Sequence, residues 1–337
     1  MLHIWNVPKI LTGFNKEKIL MALYGYTIGE DRDGNANNGK QLDVYRFLIP
    51  SAPTTSPIAP TLVGTVNLPA NATTADLEGL GTNPITGRVG AVNEARVTGP
   101  TTPIDPTVTV VNNVDQPFAS ATTSPTRTPS DLRRFGFESG ADFAGNTLYN
   151  ISGNPNPANG PVGSSLYRIT TANPGTINLV AAAPTAAQRQ GTQPTNPQYA
   201  DGLAIDNLNP GSRALASDFT TRDGDGAQLY KVDLLTGQLS APIALRTPSG
   251  EALNVNGDSG LSFTNFGSQR LIGWLESGAV YEITGYQDEL AASGLGLGST
   301  GGTNGAGFAT ATLLGTVNLP SAASGAIDYE GFTIVNE

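Results

Sequence analysis

The sequence repeats itself at a long spacing. Residues 62–69 (LVGTVNLP) return with one change at residues 313–320 (LLGTVNLP). A short acidic string with a glycine follows each copy, reading DLEGL at residues 76–80 and DYEGF at residues 328–332. Two linked matches at nearly the same offset predict an array of equivalent structural units rather than one irregular core.

Weaker copies of the glycine string fill the interval. We call their glycines the repeat glycines, and they are Gly79, Gly140, Gly202, Gly260 and Gly331. A second element, in which a tyrosine stands inside a short apolar run, recurs out of phase at residues 44–47, 166–169, 229–232 and 280–283. Its missing member falls near position 108, where residues 107–111 (TVTVV) read as a strand without the tyrosine. Five copies indicate five units.

Each unit reads as four strands. In the fourth unit we predict strands at residues 203–206, 214–219, 229–234 and 241–245, separated by glycine-rich and proline-rich turns. A four-stranded unit repeated around an axis is a β-propeller blade. The sequence therefore predicts an all-β fold, a five-bladed β-propeller with four-stranded blades.

The two ends predict how the ring closes. The chain begins with three strands of a unit that lacks its first strand, at residues 22–28, 42–49 and 61–68. It finishes with an orphan first strand at residues 328–335. Pairing the C-terminal strand with the N-terminal blade leaves no open sheet edge. We thus expect one domain over residues 21–337.

A leader of residues 1–20 lies outside the repeat and shows no recognisable signal peptide. The sequence does not decide whether Met1 or Met21 is the natural start. Few lysines and abundant Asn, Thr and Gly nevertheless favour an extracellular or cell-surface location. We expect a monomer.

Composition removes several classes of function. The chain has no cysteine, and its one histidine, His3, lies in the leader, which disfavours thiol catalysis, a Ser-His-Asp triad and histidine-rich zinc sites. The net charge of −10 makes nucleic acid and anionic membranes poor partners. No apolar run approaches the roughly 18 residues of a transmembrane segment.

The sharpest candidate site precedes the repeat glycines. The residues directly before them are Glu78, Ser139, Asp201, Ser259 and Glu330, and further acids upstream are Asp76, Glu138, Asp258 and Asp328. Because all first strands begin on one face around one channel, these side chains should form a ring at its mouth. Oxygen ligands without His or Cys favour calcium or magnesium.

We therefore predict a divalent-cation site, with calcium as the expected ion and with Glu78, Asp201 and Glu330 as its ligands beside Asp76 and Asp328. The alternative, left open by the sequence, is that these acids only cap loops and accept backbone hydrogen bonds. The same face carries long polar loops, so a cation or small ligand is expected there.

Residues 76–94 (DLEGLGTNPITGRVGAVNE) resemble the phytase-like ("esterase-like activity of phytase") and SdiA-regulated propeller families. In those families a D-x-E-G strand is followed by a turn and a strand that ends near a glutamate; residues 328–331 are similar. The resemblance implies an extracytoplasmic, calcium-binding propeller that acts on phosphoesters. True phytase propellers have six blades, however, and a cluster of Lys and Arg for a polyphosphate is not evident here. No catalytic residue is carried over.

Three functional hypotheses remain open. The leading one is a non-enzymatic binding or surface propeller that binds a divalent cation at the channel mouth. The alternatives are a calcium-dependent phosphoesterase of phytase-like type and a lectin-like, carbohydrate-binding propeller. An enzyme predicts one asymmetric acidic pocket, whereas a lectin predicts equivalent exposed aromatic side chains in several blades.

Overall fold

The structure is a computed structural model, and the residues that it describes are 22–29, 41–67, 77–93, 110–112, 114–115, 121–123, 126–127, 139–154, 163–170, 176–181, 200–209, 213–219, 226–291, 294–297, 308–321, 327–329 and 331–337. Their regular elements are β-strands, apart from helix α1 (Gln287–Ala291). The leader of residues 1–20 lies outside the described residues, so the predicted domain boundary stays a prediction.

The strands, in chain order, are β1 (Leu23–Ile28), β2 (Gln41–Leu48), β3 (Thr61–Asn67), β4 (Leu77–Thr82), β5 (Val89–Asn93), β6 (Val110–Asn112), β7 (Ala121–Thr123), β8 (Thr126–Arg127), β9 (Ser139–Ala144), β10 (Thr147–Asn154), β11 (Gly163–Thr170), β12 (Thr176–Ala181), β13 (Gly202–Ile205), β14 (Arg213–Asp218), β15 (Gln228–Asp233), β16 (Ile243–Arg246), β17 (Ser259–Phe263), β18 (Leu271–Leu275), β19 (Ala279–Thr284), β20 (Phe308–Thr316) and β21 (Phe332–Asn336). The strands predicted for the fourth unit, β13 to β16, lie within two residues of their observed bounds.

The strands form sheets by antiparallel pairing of chain neighbours. The sheet orders are β21-β1-β2-β3, β4-β5-β6-β7 and β8-β12-β11-β10-β9, with β8 parallel to β12. A fourth sheet has eight strands in the order β13-β14-β15-β16-β20-β19-β18-β17. It consists of two antiparallel runs of four strands, joined where the outer strands β16 and β20 pair in parallel.

The first strands of these runs pack around one axis. We call β4, β9, β13, β17 and β21 the inner strands; each contacts the next in this order, and β21 contacts β4. The repeat glycines permit this approach. A Cβ atom on Gly140, for example, would lie 2.5 Å from the backbone nitrogen of Leu203 and 2.7 Å from Cα of Gly202. Sheets that radiate from a closed circle of inner strands constitute a β-propeller fold.

The last strand lies beside the first. β21 pairs antiparallel with β1, with Tyr24 opposite Val335 and Tyr26 opposite Thr333. Two backbone hydrogen bonds of 2.7 and 2.9 Å between Ala22 and Glu337 extend the ladder. The predicted pairing of the two ends is therefore present, although β21 begins only at Phe332 rather than at residue 328.

The outer strands of three runs carry the same bulge. In β3 the partners of Val44 and Tyr45 are Gly64 and Leu62, so one residue between them is unpaired. The outer strands β12 and β20 carry the same irregularity opposite the tyrosine element of their own sheets. A bulge bends and twists a strand. The eight-residue string covers two of these three bulges, in β3 and β20, whereas β12 has the bulge without the string.

The recurring tyrosines pack inside the protein. Tyr167, Tyr230 and Tyr281 are buried, and the Tyr45 ring makes an edge contact with Tyr329 at 5.9 Å between centroids. Tyr230 lies in a core cluster with side chains of β10, β11, β13 and β14, which belong to two different sheets. These tyrosines therefore join neighbouring sheets and do not form a ligand platform.

Candidate functional site

The predicted acidic ring has two of its members at the start of inner strands. Glu78 and Asp201 are both buried. Glu78 Oε2 accepts the backbone N–H of Ser139 at 2.6 Å, and Asp201 Oδ1 accepts the hydroxyl of Ser259 at 2.5 Å. Each acid thus bonds to the beginning of the next inner strand around the axis. These bonds are the kind that the alternative interpretation, structural capping, expects.

The structure describes one of the other three predicted ligands. Asp328 is described, whereas Asp76 and Glu330 lie outside the described residues. Within the described part of the chain, no group of three or more Asp, Glu, His or Cys side chains could hold a metal ion. The cation site therefore stays a prediction, and it depends on Asp76 and Glu330.

A pocket of about 210 Å³ lies at the opposite end of the inner strands. The ends of β4, β17 and β21, with β9 beside them, form its wall. We call it the axial pocket, and the side chains that matter for its chemistry are Thr82, Asn83, Asp142, Asn265, Phe266 and Asn336. It lies where first strands turn into second strands, on the face away from the acidic ring.

Asp142 is the ionisable group of the axial pocket. Its Oδ1 accepts the N–H of Phe143 at 2.8 Å, its Oδ2 accepts the N–H of Ile205 at 2.7 Å, and the backbone N–H of Thr82 also donates to it. Three inner strands therefore meet at one carboxyl. Burial raises the pKa of Asp142 to about 7, although these three backbone hydrogen bonds oppose the shift.

Asp142 stands out in the sequence at a position where the other repeats have small or uncharged side chains. The residues two positions after the repeat glycines are Gly81, Asp142, Ala204, Ser262 and Thr333. A small side chain is expected there, since inner strands crowd together. Gly81 supplies the room for the larger residue next to it, because a Cβ atom on Gly81 would lie 2.7 Å from Cα of Asp142.

Asparagines recur at the turns on this face of the propeller, and three of them, Asn83, Asn265 and Asn336, line the pocket. Each follows its repeat glycine by four to six residues, and the set, which we call the asparagine rim, is Asn83, Asn146, Asn207, Asn265 and Asn336. Asn83 Nδ2 donates to Asn146 Oδ1 at 3.2 Å, and the backbone N–H of Asn207 donates to Asn265 Oδ1 at 2.8 Å. The backbone N–H of Gly145 donates to Asn207 Oδ1 at 3.1 Å, which links the two pairs. Amide side chains thus fix the turns relative to one another.

One rim residue is held in an uncommon backbone conformation. Asn265 has a φ of 47°, in the left-handed region that non-glycine residues seldom adopt. Asn is among the side chains that tolerate this region best. The conformation places the next residue, Phe266, at the pocket with 52% of its surface exposed. Backbone outliers of this kind concentrate at functional sites.

Exposed apolar side chains stand at equivalent turns. Ile85, Leu208 and Phe266 are 67%, 44% and 52% exposed, and each follows its repeat glycine by six residues. Only Phe266 of these three is aromatic. The equivalent aromatic platforms that a lectin predicts are therefore not present at these described turns, and Phe266 makes the site asymmetric.

A larger cleft of about 570 Å³ adjoins the axial pocket. It lies between the β21-β1-β2-β3 sheet and the β4-β5-β6-β7 sheet, and we call it the intersheet cleft. Gly87, Val335 and Asn336 line both cavities. The two cavities are therefore neighbours on one surface.

Two arginine–carboxylate pairs lie along the intersheet cleft. Arg88 Nη1 donates to Asp115 Oδ2 at 2.7 Å, and Asp115 Oδ1 accepts the N–H of Val89 at 2.9 Å. Arg46 forms an ion pair with Glu337, which also accepts the hydroxyl of Tyr26. Burial, with this hydrogen bond as a further cause, raises the pKa of Tyr26. The phenol therefore stays protonated as a donor.

Comparison with known proteins gives no family. No family model matches the chain, and no curated protein matches it. The resemblance to phytase-like and SdiA-regulated propellers therefore has no independent confirmation. None of the helical residues that the structure describes forms a segment long and apolar enough to cross a membrane.

Similar solved structures include three bacterial proteins. The periplasmic gluconolactonase PpgL of Pseudomonas aeruginosa is 16% identical over 90% of this chain and 70% of its own, with a TM-score of 0.37. A GH43_1 enzyme from Xanthomonas citri is 13% identical over 92% and 91%, with a TM-score of 0.35. Apo AztD from Citrobacter koseri is 10% identical over 93% and 98%, with a TM-score of 0.30. Likenesses this distant carry no argument about ligand or activity.

Proposed function

We propose that this protein is a five-bladed β-propeller that binds a small polyhydroxylated ligand, such as a sugar ring, in the axial pocket. The blade count is supported by the inner strands, since β4, β9, β13, β17 and β21 contact one another in a closed circle. Each of them begins or completes an antiparallel run of four strands. The extracellular or cell-surface location and the monomeric state stay part of this proposal, and they rest on composition.

The volume of the pocket limits the ligand. Pockets for drug-sized molecules measure about 300–1,000 Å³. The axial pocket, at about 210 Å³, is smaller and takes a single ring or the end of a longer chain. A binding function of this kind needs a rigid wall, and the asparagine rim supplies one.

The wall chemistry carries the proposal. Asn83 and Asn265 bring amides, and Asp142 brings a carboxyl. These groups already bond to the protein: Asn83 to Asn146, Asn265 to Asn207 and Ile205, and Asp142 to backbone N–H groups. Each amide nitrogen keeps a second N–H, and the oxygens of Asn265 and Asp142 keep lone pairs, for a ligand. A sugar hydroxyl also donates and accepts, so these groups match it. Beside them, the exposed ring of Phe266 offers an apolar face. The C–H face of a sugar ring can pack on such a surface while its hydroxyls bond to the amides.

Binding is favoured over hydrolysis by the number of carboxyls. Glycoside hydrolases as a rule use a pair of carboxyl groups on either side of the bond they cleave. Among the described residues that line the axial pocket, Asp142 is the one carboxyl. The pocket therefore has one carboxyl that can bond to a ligand but, in its described lining, not the second acid or base.

The test is calorimetric titration with monosaccharides and disaccharides. The wild type should bind at least one of them, and Phe266→Ala should weaken that binding by up to about tenfold, since an aromatic contact contributes roughly 0.5–1.5 kcal/mol beyond the area that it buries. Ile85→Ala is the matched control, because Ile85 stands at the equivalent turn and outside the pocket lining. If no sugar binds at millimolar concentration, the proposal is wrong.

The divalent-cation site remains a second proposal. Its support is the position of Glu78 and Asp201, two buried carboxyls at the same end of the inner strands. Completing it requires the predicted ligand Glu330, with Asp76 and Asp328 as the further predicted ligands. The phosphoesterase alternative depends on this cation and has no further support from the described residues.

A further inference from the structure

The intersheet cleft is lined by two arginines, whereas the described lining of the axial pocket has no cationic side chain. Both oxygens of Asp115 accept protein hydrogen bonds, one from Arg88 and one from the N–H of Val89. Both side-chain oxygens of Glu337 are engaged as well, by Tyr26 and Arg46. The acids of the cleft are therefore already occupied by donors.

The arginine side chains, in contrast, have more N–H donors than these ion pairs use. A guanidinium carries five N–H donors in a rigid planar fork. Arg88 uses Nη1 for Asp115, and its other side-chain donors have no partner among the described residues. Its side chain is 49% exposed, whereas that of Asp115 is only 5% exposed. The outward side of this pair is thus a donor with positive charge.

The second arginine has a similar setting. Arg46 lies over the ring of Tyr24, with its guanidinium carbon 4.7 Å from the ring centroid. This contact and the ion pair with Glu337 hold the guanidinium in place. In a chain of net charge −10, this cleft is a local exception, because its two guanidiniums balance the two carboxylates that line it.

The position of Arg88 relates the cleft to the axial pocket. Arg88 directly follows Gly87, which lines both cavities. The guanidinium therefore belongs to the residue that directly follows a wall residue shared by the two cavities. The cleft, at about 570 Å³, also has room for a further ring.

We infer that the physiological ligand is an acidic saccharide, with a neutral ring in the axial pocket and a carboxylate on an adjoining ring held by Arg88 in the intersheet cleft. This inference rests on the proposed function. A carboxylate matches the planar fork of a guanidinium and can accept two parallel hydrogen bonds from it. Arg46 adds a second positive charge to the same cleft.

Calorimetric titration with paired ligands tests the inference. A disaccharide of one glucuronate ring and one glucose ring, and the neutral glucose disaccharide of the same linkage, would be titrated into the wild type at about 50 mM salt. Because a charge-assisted hydrogen bond contributes roughly 1.5–3 kcal/mol, the acidic ligand should bind at least about tenfold more tightly. That advantage should shrink at higher salt, since the site is partly exposed.

Variants separate recognition from folding. Arg88→Gln should remove the advantage of the acidic ligand and leave the affinity for the neutral one unchanged. Arg88→Lys, which keeps the charge and loses the fork, should retain part of the advantage and serves if Arg88→Gln leaves Asp115 destabilised. Arg246→Gln is the matched control, because Arg246 contacts Phe308 in a different part of the propeller.

The outcomes are distinguishable. Equal affinities for the two ligands in the wild type would overturn the inference and leave the axial pocket as a neutral sugar site. An equal loss of both affinities in Arg88→Gln and Arg88→Lys would also overturn it, because the arginine would then act only on the structure. Tighter binding of the disaccharide that carries a sulfate in place of the carboxylate would overturn the carboxylate assignment. If neither disaccharide binds, the proposed function fails as well.

Discussion

Removing the ring of Phe332 should cost a large part of the stability of the closing sheet. This side chain is 2% exposed on β21, and its ring stacks on Trp274 with 5.6 Å between centroids and on Phe47 with 6.2 Å. Buried Phe→Ala replacements cost about 3–5 kcal/mol. Each of the two aromatic contacts adds roughly 0.5–1.5 kcal/mol beyond area burial. We therefore expect Phe332→Ala to lower the free energy of unfolding by about 4 kcal/mol. Total stabilities are about 5–15 kcal/mol.

Urea unfolding followed by tryptophan fluorescence measures this loss, since Trp274 lies directly against the missing ring. The midpoint should fall while the slope of free energy against urea stays the same. Phe266→Ala is the control, because Phe266 is 52% exposed and its loss should change stability by no more than about 0.5 kcal/mol. A loss below about 1 kcal/mol for Phe332→Ala would refute the packing of β21 against this aromatic stack.

Three further predictions concern the axis. Gly140→Ala should destabilise the folded protein by about 1–3 kcal/mol, because its Cβ atom would lie 2.5 Å from the backbone of the neighbouring inner strand. Gly79→Ala should cost less, because its Cβ atom would meet side-chain atoms at 3.0 Å. Equal melting temperatures for the two variants would contradict this prediction. Burial raises the pKa of Asp142 from an ordinary 3.8 to about 7, so the folded protein favours the protonated carboxyl. The free energy of unfolding should therefore be highest below pH 4 and should fall as the pH rises through 7. Asp142→Asn should flatten that pH profile, and parallel profiles would show that the carboxyl does not titrate there. Calcium should raise the melting temperature of the wild type, and Glu78→Gln combined with Glu330→Gln should erase the shift; an unchanged response would remove the cation site.

Local patterns were enough to predict the strands. The strand expected at residues 229–234 is observed as Gln228–Asp233, because alternation of side chains and glycine turns are both local properties. The eight-residue string at residues 62–69 was found as a repeat, but its meaning was not. The bulge within residues 62–69 is defined by the pairing of β3 with β2, and this pairing is not visible in the sequence of one strand.

The candidate site could be predicted only in part. Glu78 and Asp201 were placed correctly at the starts of inner strands, yet their hydrogen-bond partners Ser139 and Ser259 lie about 60 residues further along the chain. Asp142 was missed because size patterning treats its position as packed core. The asparagine rim was missed because an asparagine after a strand is ordinary turn chemistry. Its recurrence after each repeat glycine becomes informative only once the turns are known to surround a pocket.

The parallel pairing of β16 with β20 has a consequence for how the protein opens. Ala244 lies opposite Phe308 and Arg246 opposite Thr310, so the outer edges of two neighbouring runs share one ladder. Outer strands normally exchange their amide hydrogens first, because one side of each strand is open to water. Here the amides at this seam should exchange slowly and together, and neither edge offers a free template for strand addition by another chain. Two sectors of the ring should therefore open as a single cooperative unit.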